Sequence, residues 1–400
     1  MPLDQPAPGA LAGIRVLDLT SVIMGPLASQ VLGDLGAEVI SIESATGDTN
    51  RYMGVSPHRQ LSGVSLNILR NKRNVSVDLK RPEGRDALLR IAATCDVFLT
   101  NLRPGPLRRL GLAYDDIVAV RPDVVYCEAH GFPADSARAE DPAYDDIIQA
   151  ASGLADAARL ATGEPALMPT IFADKVCGLT IVYAVTAALF SRERTGRGQR
   201  IEIPMIDVMQ AFTLVEHGCA AIPRPPLAPA GYPRILTSNR RPQRTTDGWI
   251  NILPYSREHF DTLFKAGGRE ELLGDERYAT RRARNQNSHF LYAQIISIIA
   301  TRSTGEWLAF CDEHRIPVTV VANLDEMVDA LPDAVHPIVG DYKEIPPPVR
   351  FAGTPSSVRR PAPLIGEHNA EVLAEVGFSD DEIAALVDTG VLHARNSLDS

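Results

Sequence analysis

The chain has 400 residues, 45% of them hydrophobic and 22% charged, an ordinary globular composition with length enough for two domains and large buried cores. Its formal net charge of −10 argues against nucleic acid as a partner, so a polyanionic ligand has to be met by a local basic patch. Five cysteines (Cys95, Cys127, Cys177, Cys219, Cys311) stand far apart, without a C-x-x-C pair or the Cys/His spacing of a zinc site, which favours reduced thiols and no metal. The opening residues lack a basic stretch followed by an apolar one, and the most apolar run, Leu179 to Phe190, is too short for a bilayer. A cytoplasmic protein without a membrane partner is expected.

The first half alternates short β-branched runs with helical patterns. Strands are expected at Ile14–Leu19, Glu38–Glu43, Val75–Leu79, Val97–Leu99 and Val124–Glu128, with helices after Pro26 and from Pro82. This is an α/β pattern with a mainly parallel sheet. Pro26 and Pro82 suit a first helical turn, where a missing N–H loses no partner. From Asp145 the pattern turns helical, and a long apolar helix follows Asp174 and ends at Thr195-Gly-Arg-Gly, with Gly196 suited to a left-handed C-cap. Ile201–Ile203 reads as a further strand. Residues 221–233 carry five prolines, which neither continue a helix nor donate to a sheet, so a stiff linker is expected there. Gly248–Leu253 reads as a strand, 257–312 as amphipathic helices of a smaller domain, and Ile345–Pro363 as a second proline-rich passage. Ser379 with Glu382 forms a capping box in the tail.

The turn after the first strand reads TSVIMGP and lacks the glycines that let a backbone approach a pyrophosphate, so NAD is disfavoured. No Walker A loop, H-E-x-x-H or G-x-S-x-G elbow occurs. Basic residues cluster at Arg70, Lys72 and Arg73, and at Arg103, Arg108 and Arg109. Either these are solvated loops, or they are guanidinium groups placed after parallel strands to hold phosphates. Asp174, in LMPTIFADKVCGL, fits a helix N-cap; equally, a carboxylate in apolar surroundings at a helix start is a competent nucleophile. Tyr144 and His130 read as core residues with satisfied polar atoms or as residues reaching a site.

Several segments together resemble the class III CoA-transferases of the CaiB/BaiF type, the family of formyl-CoA transferase, carnitine CoA-transferase and α-methylacyl-CoA racemase. They are LAGIRVLDLTSVIMGPLASQVLGDLGAEVISIE, NKRNVSVDLKRPEGRDALLR, NLRPGPLRRLGL, AYDDIIQAASGL, ADKVCGLTIVYAVTAALFSRERTGRGQRIEIPMID, RTTDGWI and FAGTPSSVRRPAPLIGEHNAEVL. The resemblance implies a Rossmann-like large domain built from both termini (1–222 and 345–400), a smaller α/β domain with its linker (223–344), and an interlocked homodimer. It implies transfer of CoA from an acyl-CoA to a carboxylic acid through a covalent intermediate on Asp174, with Tyr144 in support. CoA contacts are expected from Asn101, Arg103 and Arg109, with Lys72 and Arg73 toward the nucleotide end. The CoA thioester is a substrate, and no permanently bound cofactor is implied.

Racemases of the family carry histidine where this chain has Tyr144, and a phenol with a pKa near 10 is a poor base at neutral pH. Transferase is therefore expected over a racemase-like isomerase or a non-catalytic CoA-binding protein. Two departures stand out: Ile23 replaces a glutamine found in some transferases, and the glycine-rich shielding loop has no counterpart in ILTSNRRPQRTTDG. Arg240 and Arg241 of that stretch are candidates to meet the carboxylate of the acid substrate.

Overall fold

The structure, a computed structural model, describes residues 8–393. In chain order its elements begin with β1 (Arg15–Leu19), α1 (Met24–Asp34), β2 (Glu38–Glu43), α2 (Gly63–Ile68), β3 (Lys72–Ser76), α3 (Pro82–Ala92) and β4 (Val97–Thr100). Next come α4 (Pro104–Leu110), α5 (Tyr114–Val120), β5 (Val125–His130), α6 (Asp145–Ala151), α7 (Leu154–Thr162), α8 (Phe172–Thr195), β6 (Gln199–Pro204) and α9 (Met205–His217). Then follow β7 (Gln243–Arg244), β8 (Trp249–Ile252), α10 (Arg257–Ala266), α11 (Glu276–Ala279), α12 (Arg281–Gln286), α13 (Ser288–Ile299), α14 (Thr304–Glu313), β9 (Val318–Val320) and α15 (Leu324–Asp329). The chain closes with β10 (Asp333–His336), β11 (Gly340–Lys343), α16 (Asn369–Glu375) and α17 (Asp380–Asp388).

Two compact units divide these elements. Of the described residues, the larger gathers those up to Ile148, Thr170–Met209 and those from Leu331 to His393; the smaller holds Gln149–Pro169 and Gln210–Ala330. In the larger unit six strands form one sheet in the order β3-β2-β1-β4-β5-β6, every pair parallel. The order reverses between β1 and β4, and the carboxyl ends of strands at such a reversal are where sheets of this type open a crevice for ligands. The core under the sheet joins Leu17, Ile40, Phe98 and Tyr126 to Leu373, Ile383 and Leu392 of the tail. Tyr126 stacks on Phe98 at 5.1 Å between centroids, an arrangement worth about 0.5–1.5 kcal/mol beyond burial.

The smaller unit packs the three-stranded sheet β7-β8-β9 against its helices, around Trp307, Phe264, Tyr278 and Ile295. The Trp307 indole N–H donates to the carbonyl of Ile299 at 2.8 Å, so its bulk is buried without stranding a donor.

Three expectations need correction. β3 covers Lys72–Ser76 and not Val75–Leu79; its polar start is buried because ion pairs neutralise it, a compensation that an apolar pattern does not show. α8 starts at Phe172, so Asp174 lies within its first turn while Ile171 occupies the N-cap without a side-chain cap. At 24 residues α8 is also long and apolar enough to cross a bilayer by length and composition, contrary to the run counted from Leu179. In the fold it packs against α1, β5 and β6 as a core helix, with Cys177, Ile181 and Val185 buried.

Candidate active site

Loops leaving the carboxyl ends of β1, β4, β5 and β6 surround one cleft, lined among others by Val22, Met24, Asn101, Arg103, His130, Tyr144 and Asp174. Its volume is about 940 Å³, counting the space open to solvent. The lining is gathered from several strand ends and from the first turn of α8, beside the reversal of strand order.

Asp174 is buried on the first turn of α8. Burial pushes its carboxyl up to about 6, and the neighbouring Asp145 carboxylate adds to this, while the Met24 backbone N–H donates to it and opposes both. Asp145, also buried, accepts the backbone N–H of Asp174 at 3.0 Å. A poorly hydrated carboxylate that remains ionised at neutral pH is thus held at a helix start, where partial positive charge faces it. Gly178 sits one turn further along α8; a Cβ there would lie 2.8 Å from the Met24 carbonyl oxygen. Only glycine lets the β1–α1 turn come this close.

That turn is itself constrained. Val22 has φ of +70°, a left-handed conformation that a β-branched residue adopts only when its surroundings impose it. Its N–H donates to both carboxylate oxygens of Asp48, at 3.0 and 3.1 Å, and the Asn50 side-chain amide donates to its carbonyl at 3.2 Å. Asn101 grips the preceding residue from both sides, accepting the Ser21 N–H at 3.0 Å and donating to its carbonyl at 2.8 Å. Asp48 is anchored in turn: its own N–H donates to Glu43 at 2.7 Å, and Glu43 holds the fully buried Arg51 through bonds of 2.7 and 2.6 Å. The network runs from β2 through Asp48 to the turn that offers the Met24 N–H to Asp174.

Of the residues expected at a site, Asn101, Arg103, Tyr144 and Asp174 share this cleft. Asn101 spends its amide on the turn and acts there as a brace. His130 joins them: its Nδ1 lies 2.6 Å from the Phe132 carbonyl, so Nδ1 carries the donating proton, and its buried Nε2 makes no hydrogen bond. Arg109 lines an adjoining basic cleft with Lys80, Arg81 and Arg85, which shares Pro106 with the first. Lys72 and Arg73 are elsewhere. Both are buried in β3 and not in a loop. The Lys72 ammonium meets Asp18 at 3.1 Å, and the Arg73 guanidinium meets Glu371 at 2.9 Å as well as Glu375 and Glu38. Arg240 and Arg241 are exposed in the smaller unit and do not line the Asp174 cleft. Sequence reasoning missed Asp48, Asp145, Lys80, Arg81 and Arg85; only the GD pair at Gly47-Asp48 and the basic run at Lys80-Arg81 hinted at any of them.

Comparison with known proteins agrees with this architecture. The profile of CoA-transferase family III matches residues 11–369. A Mycobacterium tuberculosis protein named as a probable fatty acyl-CoA transferase is 33% identical, over 94% of this chain and 100% of its own length. Human succinyl-CoA:glutarate CoA-transferase is 30% identical, over 96% of this chain and 90% of its own. A crystal structure of the mycobacterial protein superposes with a TM-score of 0.76 at 30% identity, covering 91% of this chain and 99% of that one. A CaiB/BaiF family protein from Brucella suis gives the same TM-score at 29% identity, over 92% and 100%. A full-length profile match and relatives that align end to end make this chain an enzyme of CoA-transferase family III.

Proposed function

We propose that the protein transfers coenzyme A from an acyl-CoA donor to a free carboxylic acid, with Asp174 as the covalent carrier. The observation that carries this reading is the buried Asp174 carboxylate on the first turn of α8, facing a cleft and held by the Met24 N–H. Its oxygen attacks the thioester carbonyl, the C–S bond breaks, and CoA leaves as thiolate from an aspartyl mixed anhydride. The thiolate attacks the aspartyl carbonyl, releasing the donor as carboxylate and leaving an aspartyl-CoA thioester. The acceptor carboxylate attacks that thioester, and the returning thiolate takes the acceptor acyl group from the second anhydride. Charge and atoms balance without an added proton, metal or redox partner, and thioester energy stays in covalent bonds while water is kept out. Backbone N–H groups of the β1–α1 turn suit the oxyanions of these steps, and Tyr144 lines the acyl side of the cleft.

For the nucleotide end, the adjoining cleft supports a different set of cations from those first expected. Arg109, Lys80 and Arg85 are exposed there, and Gly111, left-handed at φ +64°, leaves room for the Arg85 guanidinium that a Cβ would meet at 2.6 Å. We assign CoA phosphates to this cleft, with Arg103 between it and Asp174. Lys72 and Arg73 become structural in this reading.

The domain boundaries at 222/223 and 344/345 and an interlocked homodimer belong to the same proposal. Leu179, Tyr183 and Phe190 form an exposed apolar stripe along one face of α8, the kind of surface a partner subunit covers. The five free cysteines, four of them buried, suit a reducing cytoplasmic setting.

The test is intact-protein mass spectrometry after mixing with a panel of acyl-CoAs, with hydroxylamine trapping and an Asp174→Ala control. A donor-dependent adduct that disappears in the variant is the expected result. Washout of α-deuterium from an acyl-CoA without any adduct would instead establish a racemase-like isomerase, with His130 as the first candidate for a second base; CoA binding with neither would establish a non-catalytic protein.

A further inference from the structure

The smaller unit contains a cleft of its own, between the linker that follows α9 and helices α10, α12 and α13. Its volume is about 490 Å³, counting the part open to solvent, and it shares no lining residue with the two clefts of the larger unit. Three guanidinium groups line it, those of Arg234, Arg281 and Arg284. No carboxylate lines it, and among the described residues none of the three arginines has an ion pair. Elsewhere in the unit Arg277 meets Asp275 at 2.6 Å, Arg257 meets Asp261 at 3.9 Å and Arg269 meets Glu271 at 3.8 Å, while among the described residues Arg240, Arg241 and Arg282 have no ion pair either; what sets the cleft apart is that three arginines converge on one space with no carboxylate in its lining.

What surrounds the cleft cations is neutral. Arg284 donates to the Tyr278 carbonyl at 2.9 Å. The Arg234 guanidinium lies 5.1 Å from the centre of the Tyr255 ring; burial disfavours its charge, and the hydroxyls of Tyr292, Tyr255 and Tyr232 more than offset that. Phe260 and Leu291 supply apolar wall. Arg234 is thus a charged, half-buried guanidinium that neutral hydroxyls hold in place and no carboxylate of the cleft neutralises. Its planar fork matches an oxyanion with two parallel hydrogen bonds.

We propose that this cleft binds a small organic anion, a carboxylate or phosphate ester with an apolar body, through Arg234, Arg281 and Arg284. The anionic head sits among the three guanidinium groups and the body lies against Phe260 and Leu291, with the Tyr255 ring alongside. This inference does not depend on the reaction proposed for Asp174.

The test is calorimetric titration of the full-length protein, without CoA, using phenyl phosphate, benzoate, inorganic phosphate and acetate. At least one aromatic anion is expected to bind with a Kd below about 1 mM, more tightly than the corresponding bare ion. Arg281→Gln, at an exposed position that leaves folding intact, is expected to weaken binding about tenfold, and Arg234→Gln at least as much. Arg282→Gln, an exposed neighbour outside the cleft, should leave it unchanged. Preference for phenyl phosphate or for benzoate distinguishes a phosphate ester from a carboxylate, and either supports the site. Silence of all four probes up to about 10 mM overturns it. So does binding that ignores Arg281→Gln, which places the anion elsewhere, or equal loss with Arg282→Gln, which reduces it to diffuse charge.

Discussion

The two ends of the six-stranded sheet use the same residue types for opposite purposes. At the amino end nearly every charge is paired: Arg15 with Glu38 and Glu375, Arg73 with Glu38, Glu371 and Glu375, and Asp96 with Arg121 and Arg192. At the carboxyl end Glu43 is still paired with Arg51, but other charges are left incomplete. Asp174 and Asp48 are both held up to about 6 by burial, His130 keeps an unbonded Nε2, and Arg109 and Lys80 open onto a cleft without a carboxylate lining it. A saturated charge fastens the fold, whereas an unsaturated one can bind or react. Distinguishing them requires the partner, which is set by topology.

The contrast can be broken most severely at Asp174. Asp174→Ala is expected to lower the transferase rate by about a thousandfold or more, as loss of a covalent carrier does, measured by exchange between labelled CoA acceptors. Beneath the cleft and outside its lining, Lys72→Met should leave the KM for acyl-CoA unchanged in folded protein but cost about 3–5 kcal/mol of stability, because Asp18 is left buried and without its counter-charge; denaturant melts check this, and a raised KM would return Lys72 to the site. Asp48→Ala removes the acceptor that holds Val22 and is expected to lower kcat about tenfold to a hundredfold, with KM nearly constant, as a misplaced oxyanion donor would. Arg109→Gln should raise KM about tenfold, and the effect should shrink when the donor lacks the CoA 3′-phosphate.

A last effect is on the pH dependence of stability. Folding raises the Asp174 pKa from an ordinary carboxylate value to about 6, so the folded state binds more protons than the unfolded one between about pH 4 and 6. Ionisation therefore works against the fold, and wild type should lose stability relative to Asp174→Asn as pH rises through that window. Above it the variant is expected to be more stable by about 1–3 kcal/mol, with no difference below about pH 4. The rate should rise over the same interval, since only the ionised carboxylate attacks.

Strands such as Glu38–Glu43 were legible because Val39, Ile40 and Ile42 are β-branched and apolar and closely spaced, which suits a buried strand. Gly196, left-handed at φ +68°, and the Ser379–Glu382 capping box follow from local chemistry in the same way. β3 was misplaced because Lys72-Arg73-Asn74 looks like a loop until Asp18, Glu371, Glu375 and Glu43 arrive from distant parts of the chain. At the site, Asp174 and Asn101 could be named from their segments. Asp48 could not, since besides accepting the nearby Asn50 N–H it holds a backbone turn contributed by another strand, and no side-chain pattern encodes a φ of +70° at a valine.

The cleft's dependence on separate strand ends also bears on how such enzymes diversify. The turns at Thr20–Met24, Asn101–Pro106 and Gly131–Tyr144 each hang from a different strand, while the paired charges that fasten the sheet lie at its other end. These turns are nevertheless joined: Asn101 of the second holds Ser21 of the first from both sides, and the Met24 N–H of the first meets Asp174. A change in any one of them must therefore keep the bonds by which its neighbours hold it, which confines variation to the side chains that line the cleft without bracing it.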